Sequence, residues 1–267
     1  MGRRSMRDGW EILADFHHLN SKATRMLRAM VDAVPEGRAV VTHSYTGARR
    51  CLMLYGPGSP LKLPSVQRHI KRGGRVAMWD LAYWERRDSM RLAIDSMHPT
   101  PEQIAASPAH GRRQFLLRED ANPSGPILLI GLGPKSIYAY GTGQVQTWER
   151  AKLADLRLRY PGREIIWRPK GRRPFPLAGL RMSHGDPIED ALRGCSLLVC
   201  RHSNTAVDAC IAGVPVECED GAALALYRGN PAPSREQRAD FLARLTYWEW
   251  SRFEAAAAWS WIEKVIS

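Results

Sequence analysis

The chain has 267 residues, of which 44% are hydrophobic and 25% are charged, a balance typical of a folded protein with one large or two small α/β domains. It contains no run of 18 or more apolar residues and its basic start lacks the apolar core of a signal peptide, so we expect no membrane span and a cytoplasmic location. The five cysteines show no Cys-x-x-Cys spacing and the eight histidines are scattered, which favours reduced thiols and argues against a bound metal.

The net charge of +12 predicts an anionic partner. Lysine and arginine are dispersed along the chain, and several arginines stand in adjacent pairs, such as Arg49-Arg50, Arg86-Arg87 and Arg112-Arg113. Paired cations in loops are typical of a surface that follows phosphate groups. Nucleic acid, an acidic polysaccharide and an anionic membrane face all fit this charge.

Helices alternate with short apolar strands in the first part of the chain. Ser21 is expected to cap a helix that ends near Val34, and Ser65 to open a short second helix. Apolar runs predict buried strands over residues 39–42, 51–55 and 76–79. Such alternation predicts a parallel sheet.

A second alternating series follows a stretch rich in proline and glycine, residues 99–125, which predicts a connection between domains. Apolar runs predict strands over residues 126–130, 164–167, 196–200 and 214–216. Amphipathic runs predict helices over residues 148–160, 187–192 and 203–212. Ser234 and Gln237 have the spacing of a capping box, and the tail behind them carries four tryptophans at helical spacing, which predicts core packing.

The segment from Gly194 to Gly221 contains the residues that are most informative about function. A predicted strand runs into His202-Ser203-Asn204, and a helix then begins. Free N–H groups at such a helix start attract phosphate, and Ser203, Asn204 and Thr205 add side-chain donors there. Asp208 follows one turn later, where a carboxylate can accept hydrogen bonds from ribose hydroxyls. The alternative is an ordinary strand–helix–strand unit of an α/β protein.

This segment resembles the donor-binding half of the GT-B glycosyltransferases. The match consists of His202-Ser203, Asp208-Ala209, Gly213 and Pro215-Val216, with Asp208 standing where the family usually has Glu. The resemblance implies an α/β protein of GT-B type: two Rossmann-like domains with a central cleft and C-terminal helices that cross back. It also implies a nucleotide diphosphate-sugar as co-substrate, with no metal or other cofactor required.

We therefore predict an acceptor-binding domain over residues 1–120 and a donor-binding domain over residues 121–233. Residues 234–267 are expected to form helices that pack back on the first domain. In doubly wound sheets, ligands lie outside the carboxyl ends of the strands, so residues that follow predicted strands should line the cleft.

Basic and glycine-rich loops after two predicted strands provide further donor candidates. Gly131-Leu-Gly-Pro-Lys-Ser136 lacks the third glycine of the dinucleotide fingerprint and the spacing of a P-loop. It is either a plain turn or a phosphate loop that uses Gly133, Lys135 and Ser136. Arg168 and Lys170 follow the strand predicted over 164–167, and the resemblance implies that they contact the diphosphate.

Asp80 is the candidate catalytic residue of the first domain, because an inverting transferase needs a general base near the acceptor hydroxyl. Its alternative role is an N-cap of a following helix. Tyr83 and Trp84 are candidates for stacking on a base or sugar. The other acceptor candidates are His43, Ser44, Arg86, Arg91 and His98.

A compact GT-B enzyme with this charge resembles the phage glycosyltransferases that modify hydroxymethylated bases in DNA. The resemblance implies transfer, from a UDP-sugar, to 5-hydroxymethylpyrimidine in DNA, by a monomer in the host cytoplasm. The alternatives are a glycosyltransferase for cell-surface glycan, a sugar-nucleotide epimerase, and a non-catalytic nucleotide- or DNA-binding α/β module.

Overall fold

The structure is a computed structural model that describes residues 6–14, 21–34, 36–141, 144–171, 176–177 and 179–267. The chain divides into two compact units. The first unit combines the residues up to Pro99 with Thr246–Ser267, and the second unit is Thr100–Leu245. The chain thus passes between units at 99/100 and 245/246, whereas the sequence placed boundaries near 120 and 233.

Both units contain strands and helices. The described strands, in chain order, are β1 (Arg7–Leu13), β2 (Ala39–Thr42), β3 (Arg49–Tyr55), β4 (Arg75–Leu81), β5 (Ser89–Ile94), β6 (Ile127–Ile130), β7 (Ile165–Arg168), β8 (Arg181–Met182), β9 (Leu197–Cys200), β10 (Val216–Cys218) and β11 (Glu249–Ser251). The described α-helices are α1 (Lys22–Ala33), α2 (Leu63–Lys71), α3 (Pro101–Ala105), α4 (Pro134–Tyr140), α5 (Thr147–Arg159), α6 (Ile188–Leu192), α7 (Thr205–Ala212), α8 (Leu224–Tyr227), α9 (Arg235–Leu245) and α10 (Ala255–Ile266). None of the described helices is long and apolar enough to cross a membrane.

The sheet of the first unit is mixed. Its strand order is β11-β5-β4-β3-β1-β2. The neighbours β2, β1, β3 and β4 pair in parallel, as the helix–strand alternation predicts. Strand β5 returns antiparallel to β4, and β11 pairs antiparallel to β5. The expectation of a purely parallel sheet was therefore wrong at this edge, where a turn of residues 82–88 replaces a crossover helix.

The C-terminal segment completes the core of the first unit. Helix α1 begins at Lys22 because the Ser21 side chain accepts the Thr24 amide at 3.0 Å, and it buries Met26 and Met30. Helix α10 packs beside it: the Trp259 indole donates to the Met30 carbonyl at 2.5 Å. The prediction that the tail tryptophans are core residues is confirmed, because all four are buried.

Buried carboxylates hold two loops of the first unit. Glu11 on β1 is fully buried and accepts the amides of Thr46 and Gly47 at 2.6 and 3.0 Å. Glu249 on β11 is also fully buried and accepts the amides of Tyr83 and Glu85 at 2.6 and 3.1 Å. A carboxylate that is removed from water persists only with such donors, so each glutamate fixes the loop that supplies them.

The sheet of the second unit is parallel throughout, in the order β10-β9-β6-β7-β8. Strands β6, β7 and β9 are almost wholly buried, which is the reason that they are nearly continuous apolar runs in the sequence. The chain goes from β6 to β7 on one side, while β9 pairs on the other side of β6. The strand order therefore reverses between β6 and β9, which is the position where doubly wound sheets bind ligands.

Local sequence signals set the ends of several elements in this unit. The capping box at Ser234 is confirmed: the Ser234 amide donates to the Gln237 side chain at 2.8 Å, and the Gln237 amide donates to Ser234 Oγ at 3.3 Å. Helix α7 ends at Gly213, whose φ of +76° is in the left-handed region. A Cβ there would also lie 2.5 Å from the Arg118 carbonyl oxygen, so glycine is required twice over.

We expect stability to depend on pH through His69 on α2. Burial lowers the pKa of His69 below its ordinary value of 6.5, and its neutral ring contacts Arg50 O at 3.1 Å and the Tyr45 hydroxyl at 3.2 Å. The unfolded chain binds a proton below pH 6.5 and the folded chain resists it. The free energy of unfolding should therefore fall as the pH drops below 6.5, by up to about 1.4 kcal/mol per pH unit.

Urea unfolding between pH 5.5 and 7.5 measures this slope. In His69→Gln the part of the slope that this side chain supplies should disappear. An unchanged slope in the variant would contradict the assignment.

Candidate functional site

Two loops of the second unit meet at the point where the strand order reverses. The first follows β6 and leads into α4, and the second follows β9 and leads into α7. A hydrogen bond of 2.8 Å joins His202 Nε2 to Ser136 Oγ, and both His202 and Ser203 are buried. Predicted donor residues that are 66 positions apart in the chain are thus brought together.

The glycine loop after β6 is fixed by the core beneath it. Gly131 lies against the Trp167 ring, to which an added Cβ would come within 2.4 Å, so a side chain has no room there. The Leu132 amide donates to Glu149 Oε1 at 2.7 Å, and Glu149 is only 2% exposed. The sequence did not single out Glu149, because a lone acid on an amphipathic helix is normally solvated.

The basic candidates differ in what they contact. Arg168, the last residue of β7, donates to Ser183 Oγ at 2.8 Å and to the Asp186 carbonyl at 2.6 Å. Its guanidinium is therefore directed toward the β8–α6 loop. Lys135 on α4 and Lys170 after β7 are exposed. These two ammonium groups are accessible to an anion, while Arg168 also braces the neighbouring loop.

The start of α7 differs from the expectation of free N–H groups. The helix begins at Thr205 instead of Ser203, with Asn204 as its N-cap. Ser203 Oγ accepts the Thr205 amide at 3.2 Å, and the Ser203 carbonyl accepts the Ala206 amide at 3.0 Å. The first amides are thus satisfied within the turn. Attraction of an anion here depends on the helix dipole and on polar side chains, with Asp208 half-buried in the first turn.

Glu219, which the sequence analysis missed, is anchored beside the same loops. Its amide donates to the Arg201 carbonyl at 3.0 Å. Its carboxylate accepts the Trp148 indole at 3.0 Å and pairs with Lys152 at 2.9 Å. Burial opposes its charge, but the hydrogen bonds from Lys152 and Trp148 prevail and lower the pKa of Glu219. Its position just past β10 is the signal that could have identified it.

A cavity of about 360 Å³ lies against β9 and β10. Glu219, Cys200, Cys218 and Tyr227 are among the residues that line it. Burial raises the pKa of the Cys218 thiol to about 12, so this thiol is uncharged at physiological pH. No group of three or more His, Cys, Asp or Glu side chains in the described ranges is arranged to hold a metal ion.

Asp80 in the first unit lies inside β4, one residue before its end, and not past the strand as expected. It caps no helix, since β5 follows after the turn. Its direct cross-strand partner is Arg91 on β5, whose Nη2 lies 3.1 Å from Asp80 Oδ2. Arg91 is 5% exposed, whereas a third of the Asp80 side chain remains accessible. The other carboxylate oxygen, Oδ1, accepts the Leu81 amide at 2.8 Å, so the aspartate is fixed through both oxygens and is still partly accessible.

Arg91 also fixes the state of His98. Its Nη1 lies 3.0 Å from His98 Nδ1, and both side chains are buried. A guanidinium only donates, so His98 Nδ1 accepts and its ring proton lies on Nε2. Arg91 and His98 were predicted to bind the acceptor, but both are buried, Arg91 against Asp80 and His98 against Arg91. Their geometry is that of residues that position Asp80.

The remaining acceptor candidates differ in how far their side chains are exposed. Tyr83 is 1% exposed and the Arg91 guanidinium lies 5.7 Å from its ring centroid, so its ring is not available to stack on an acceptor. Burial strongly raises the pKa of its hydroxyl. Trp84 is half-buried and Arg86 is exposed in the same turn. His43 and Ser44 are exposed after the carboxyl end of β2.

No family model and no curated protein matches the chain. Among solved structures, the beta Kdo 2,7 transferase of Thermosulfurimonas dismutans KpsC is similar at a TM-score of 0.56 and 12% identity, over 94% of this chain and 99% of that one. The beta Kdo 2,4 transferase of the same KpsC gives 0.49 and 11%, over 88% and 89%. The spinosyn rhamnosyltransferase SpnG, complexed with thymidine diphosphate, gives 0.31 and 16%, over 91% and 65%.

The likeness to the KpsC 2,7 transferase extends over nearly the whole of both chains and shows a shared fold. The chain has a GT-B-like fold. The α/β class with two units and a returning C-terminal segment is therefore confirmed.

Replacing Glu149 should loosen the glycine loop. Glu149→Leu leaves the buried Leu132 amide without an acceptor, which should lower the free energy of unfolding by about 2 kcal/mol. The Leu132 amide should also exchange its hydrogen faster. Glu149→Gln keeps an acceptor oxygen and should retain most of the protection, and the exposed Glu189→Gln is a control that should change neither measurement. Equal protection in the Leu and Gln variants would contradict this role.

Proposed function

We propose that the protein is a glycosyltransferase that moves a sugar from a nucleotide diphosphate-sugar, a UDP-sugar, to a hydroxyl group. The observation that carries the proposal is the Ser136–His202 hydrogen bond, which joins two polar loops where the strand order of a parallel sheet reverses. The GT-B-like fold supports it, since the KpsC protein that shares the fold is named as a beta Kdo 2,7 transferase.

The donor is assigned to the second unit. His202, Ser136 and the first turn of α7 with Ser203, Asn204 and Thr205 receive the diphosphate, while exposed Lys135 and Lys170 neutralise its charge. Cations and oriented dipoles that are fixed before the reaction stabilise a leaving group at low reorganisation cost, so this chemistry requires no metal. Asp208 binds the ribose, and we add Glu219 and the cavity beside it as the place for the nucleoside.

The acceptor is assigned to the first unit, with Asp80 as its general base. The Asp80 carboxylate takes the proton from the acceptor hydroxyl as the oxygen attacks the anomeric carbon and the nucleotide diphosphate leaves. Arg91 holds Oδ2 and the Leu81 amide donates to Oδ1 at 2.8 Å, so the carboxylate is fixed in one orientation while a third of the side chain stays accessible to the acceptor. Trp84, Arg86, His43 and Ser44 remain the acceptor contacts, and Tyr83 is withdrawn from that set.

For the acceptor itself we propose 5-hydroxymethylpyrimidine in phage DNA. The net charge of +12 and the exposed arginines of the β4–β5 turn support a phosphate-rich substrate. Cell-surface glycan is the second candidate, and the similarity to a protein named for beta-Kdo transfer favours it.

A panel experiment tests the proposal. The purified protein is incubated with UDP-, dTDP- and CMP-activated sugars. The acceptor is either DNA that contains 5-hydroxymethylcytosine or 5-hydroxymethyluracil, or an oligosaccharide. Mass spectrometry of the digested nucleosides should show an added sugar. Transfer to an oligosaccharide acceptor but not to DNA would select the glycan candidate. Absence of transfer from every donor to every acceptor would overturn the proposal.

Asp80→Asn should remove the base without removing the donor site. We expect the transfer rate to fall by about 10²- to 10⁴-fold, the usual contribution of a general base, with donor affinity unchanged. Asp32→Asn, on the exposed face of α1, is the matched control and should retain full activity. A rate within twofold of wild type in Asp80→Asn would exclude Asp80 as the base.

His202→Ala should weaken the binding of the nucleotide diphosphate. Loss of one hydrogen bond to a charged group corresponds to about tenfold in Kd, which calorimetry measures directly. His110→Ala, an exposed histidine of the same unit, should leave Kd unchanged. If both variants bind equally, His202 lies outside the donor site.

A further inference from the structure

Four cations from three separate segments of the first unit converge on one small cavity. Lys22 and Arg25 lie in the first turns of α1, Arg87 in the β4–β5 turn, and Arg252 in the short 3-10 turn before α10. The cavity measures about 10 Å³. We name these four residues the α1 basic cluster.

The α1 basic cluster carries an excess of positive charge, since four cations and one carboxylate line the cavity, and such an excess attracts an anion. Helix α1 has no acidic residue in its first turn, and cations near a helix N-terminus oppose the helix dipole. Lys22 is desolvated as well: burial lowers its pKa, while its Nζ donates to the Arg86 carbonyl at 2.7 Å. Asp88 is the acidic residue among those that line the cavity. Asp88 and the buried Glu249 favour the charge of Lys22, and the positive charge of Arg25, Arg87 and Arg252 remains to attract an anion.

The cavity has the size of one oxygen atom. A volume of about 10 Å³ is close to the space that a single water molecule needs. It can admit one oxygen of a phosphate but not the whole group. The rest of a phosphodiester would then lie outside, among the guanidinium groups of Arg25, Arg87 and Arg252.

An exposed aromatic ring adjoins the cations. The Phe253 side chain is 76% exposed, and the Arg252 guanidinium lies 4.3 Å from its ring centroid. Cations that bind the backbone beside an aromatic platform for a base are typical of single-stranded nucleic-acid sites. The apolar residues that line the cavity, Met26 and Met90, are buried, so Phe253 is the exposed apolar side chain at the cluster. A single aromatic ring beside several cations favours stacking on a base over insertion into a bilayer.

We infer that the α1 basic cluster binds a backbone phosphate of a nucleic-acid acceptor and that Phe253 stacks on an adjacent base. The inference rests on the proposed function, whose acceptor it identifies as a phosphodiester polymer. Lys22 holds the carbonyl of Arg86, so the cluster is continuous with the turn that carries Trp84 and Arg86. A strand anchored here would be placed against that turn.

Fluorescence anisotropy with a labelled 20-nucleotide DNA, single-stranded and duplex, tests the cluster at several salt concentrations. The variant is Arg87→Glu with Arg252→Glu, and the control is Arg68→Glu with Lys71→Glu, the same charge change on exposed positions of α2. We expect the cluster variant to bind at least tenfold more weakly and to lose about two from the slope of log K against log salt. The control should keep the wild-type slope. Phe253→Ala should weaken single-stranded binding more than duplex binding.

Circular dichroism and thermal melting show whether each variant is folded. If the glutamate variant of the cluster is unfolded, Arg87→Ala with Arg252→Ala takes its place. Equal affinity and slope in cluster and control variants would overturn the inference. So would binding to vesicles with 30% phosphatidylserine that depends on the cluster while binding to DNA does not. Donor affinity, measured in parallel by calorimetry, should be unchanged in the cluster variant. DNA binding through the cluster without sugar transfer would reject the proposed function and keep the phosphate site.

Discussion

Buried glutamates that accept backbone N–H groups determine the loops on which the candidate residues lie. Glu11 holds the turn that follows His43 and Ser44 in the chain. Glu249 holds the turn that contains Tyr83 and Trp84, and Glu149 holds the glycine loop of the second unit. A buried carboxylate without donors is very unfavourable, so each loop is restricted to conformations that turn its amides inward. Those amides are then committed to the fold, so the exposed side chains of each loop, such as His43 and Ser44, are the groups that remain accessible.

The antiparallel return of β5 sets the surroundings of Asp80 in the first unit. Cross-strand pairing sets Arg91 directly opposite Asp80, and the same guanidinium reaches His98. A parallel neighbour would arrive from a crossover helix and could not bring residues 11 positions apart into register. The short turn of residues 82–88 therefore both ends β4 and supplies the partner that orients the aspartate. It also carries Arg87, so the proposed acceptor site and the proposed anion site both depend on one turn.

The second unit could be predicted from the sequence far better than the first. Strands such as β6 and β9 are buried on both faces and are uninterrupted apolar runs, and Gly213 marks a helix end by its backbone requirement alone. Strand β1 was missed because Arg7, Asp8 and Gly9 precede Trp10 and because its buried Glu11 has the sequence appearance of a surface charge. The burial of Glu11 and Glu249 depends on partners 35 and 166 residues away, which no local pattern records. Arg91 is buried against Asp80 across the antiparallel turn, which the alternation of helices and strands did not predict.

The same distinction explains which functional residues were found. His202 and Ser136 follow strands in a regular parallel sheet, so their position in sequence implies their position in space. Glu219 follows a strand too, but β10 extends two residues beyond its predicted end. Glu219 was therefore not recognised as the residue that directly follows the strand. Arg252 and Lys22 share no element and meet only because the C-terminal segment returns to α1. Charges that converge through tertiary packing therefore have to be identified in the structure. The net charge of +12 predicts that an anion binds, but it does not predict where on the surface.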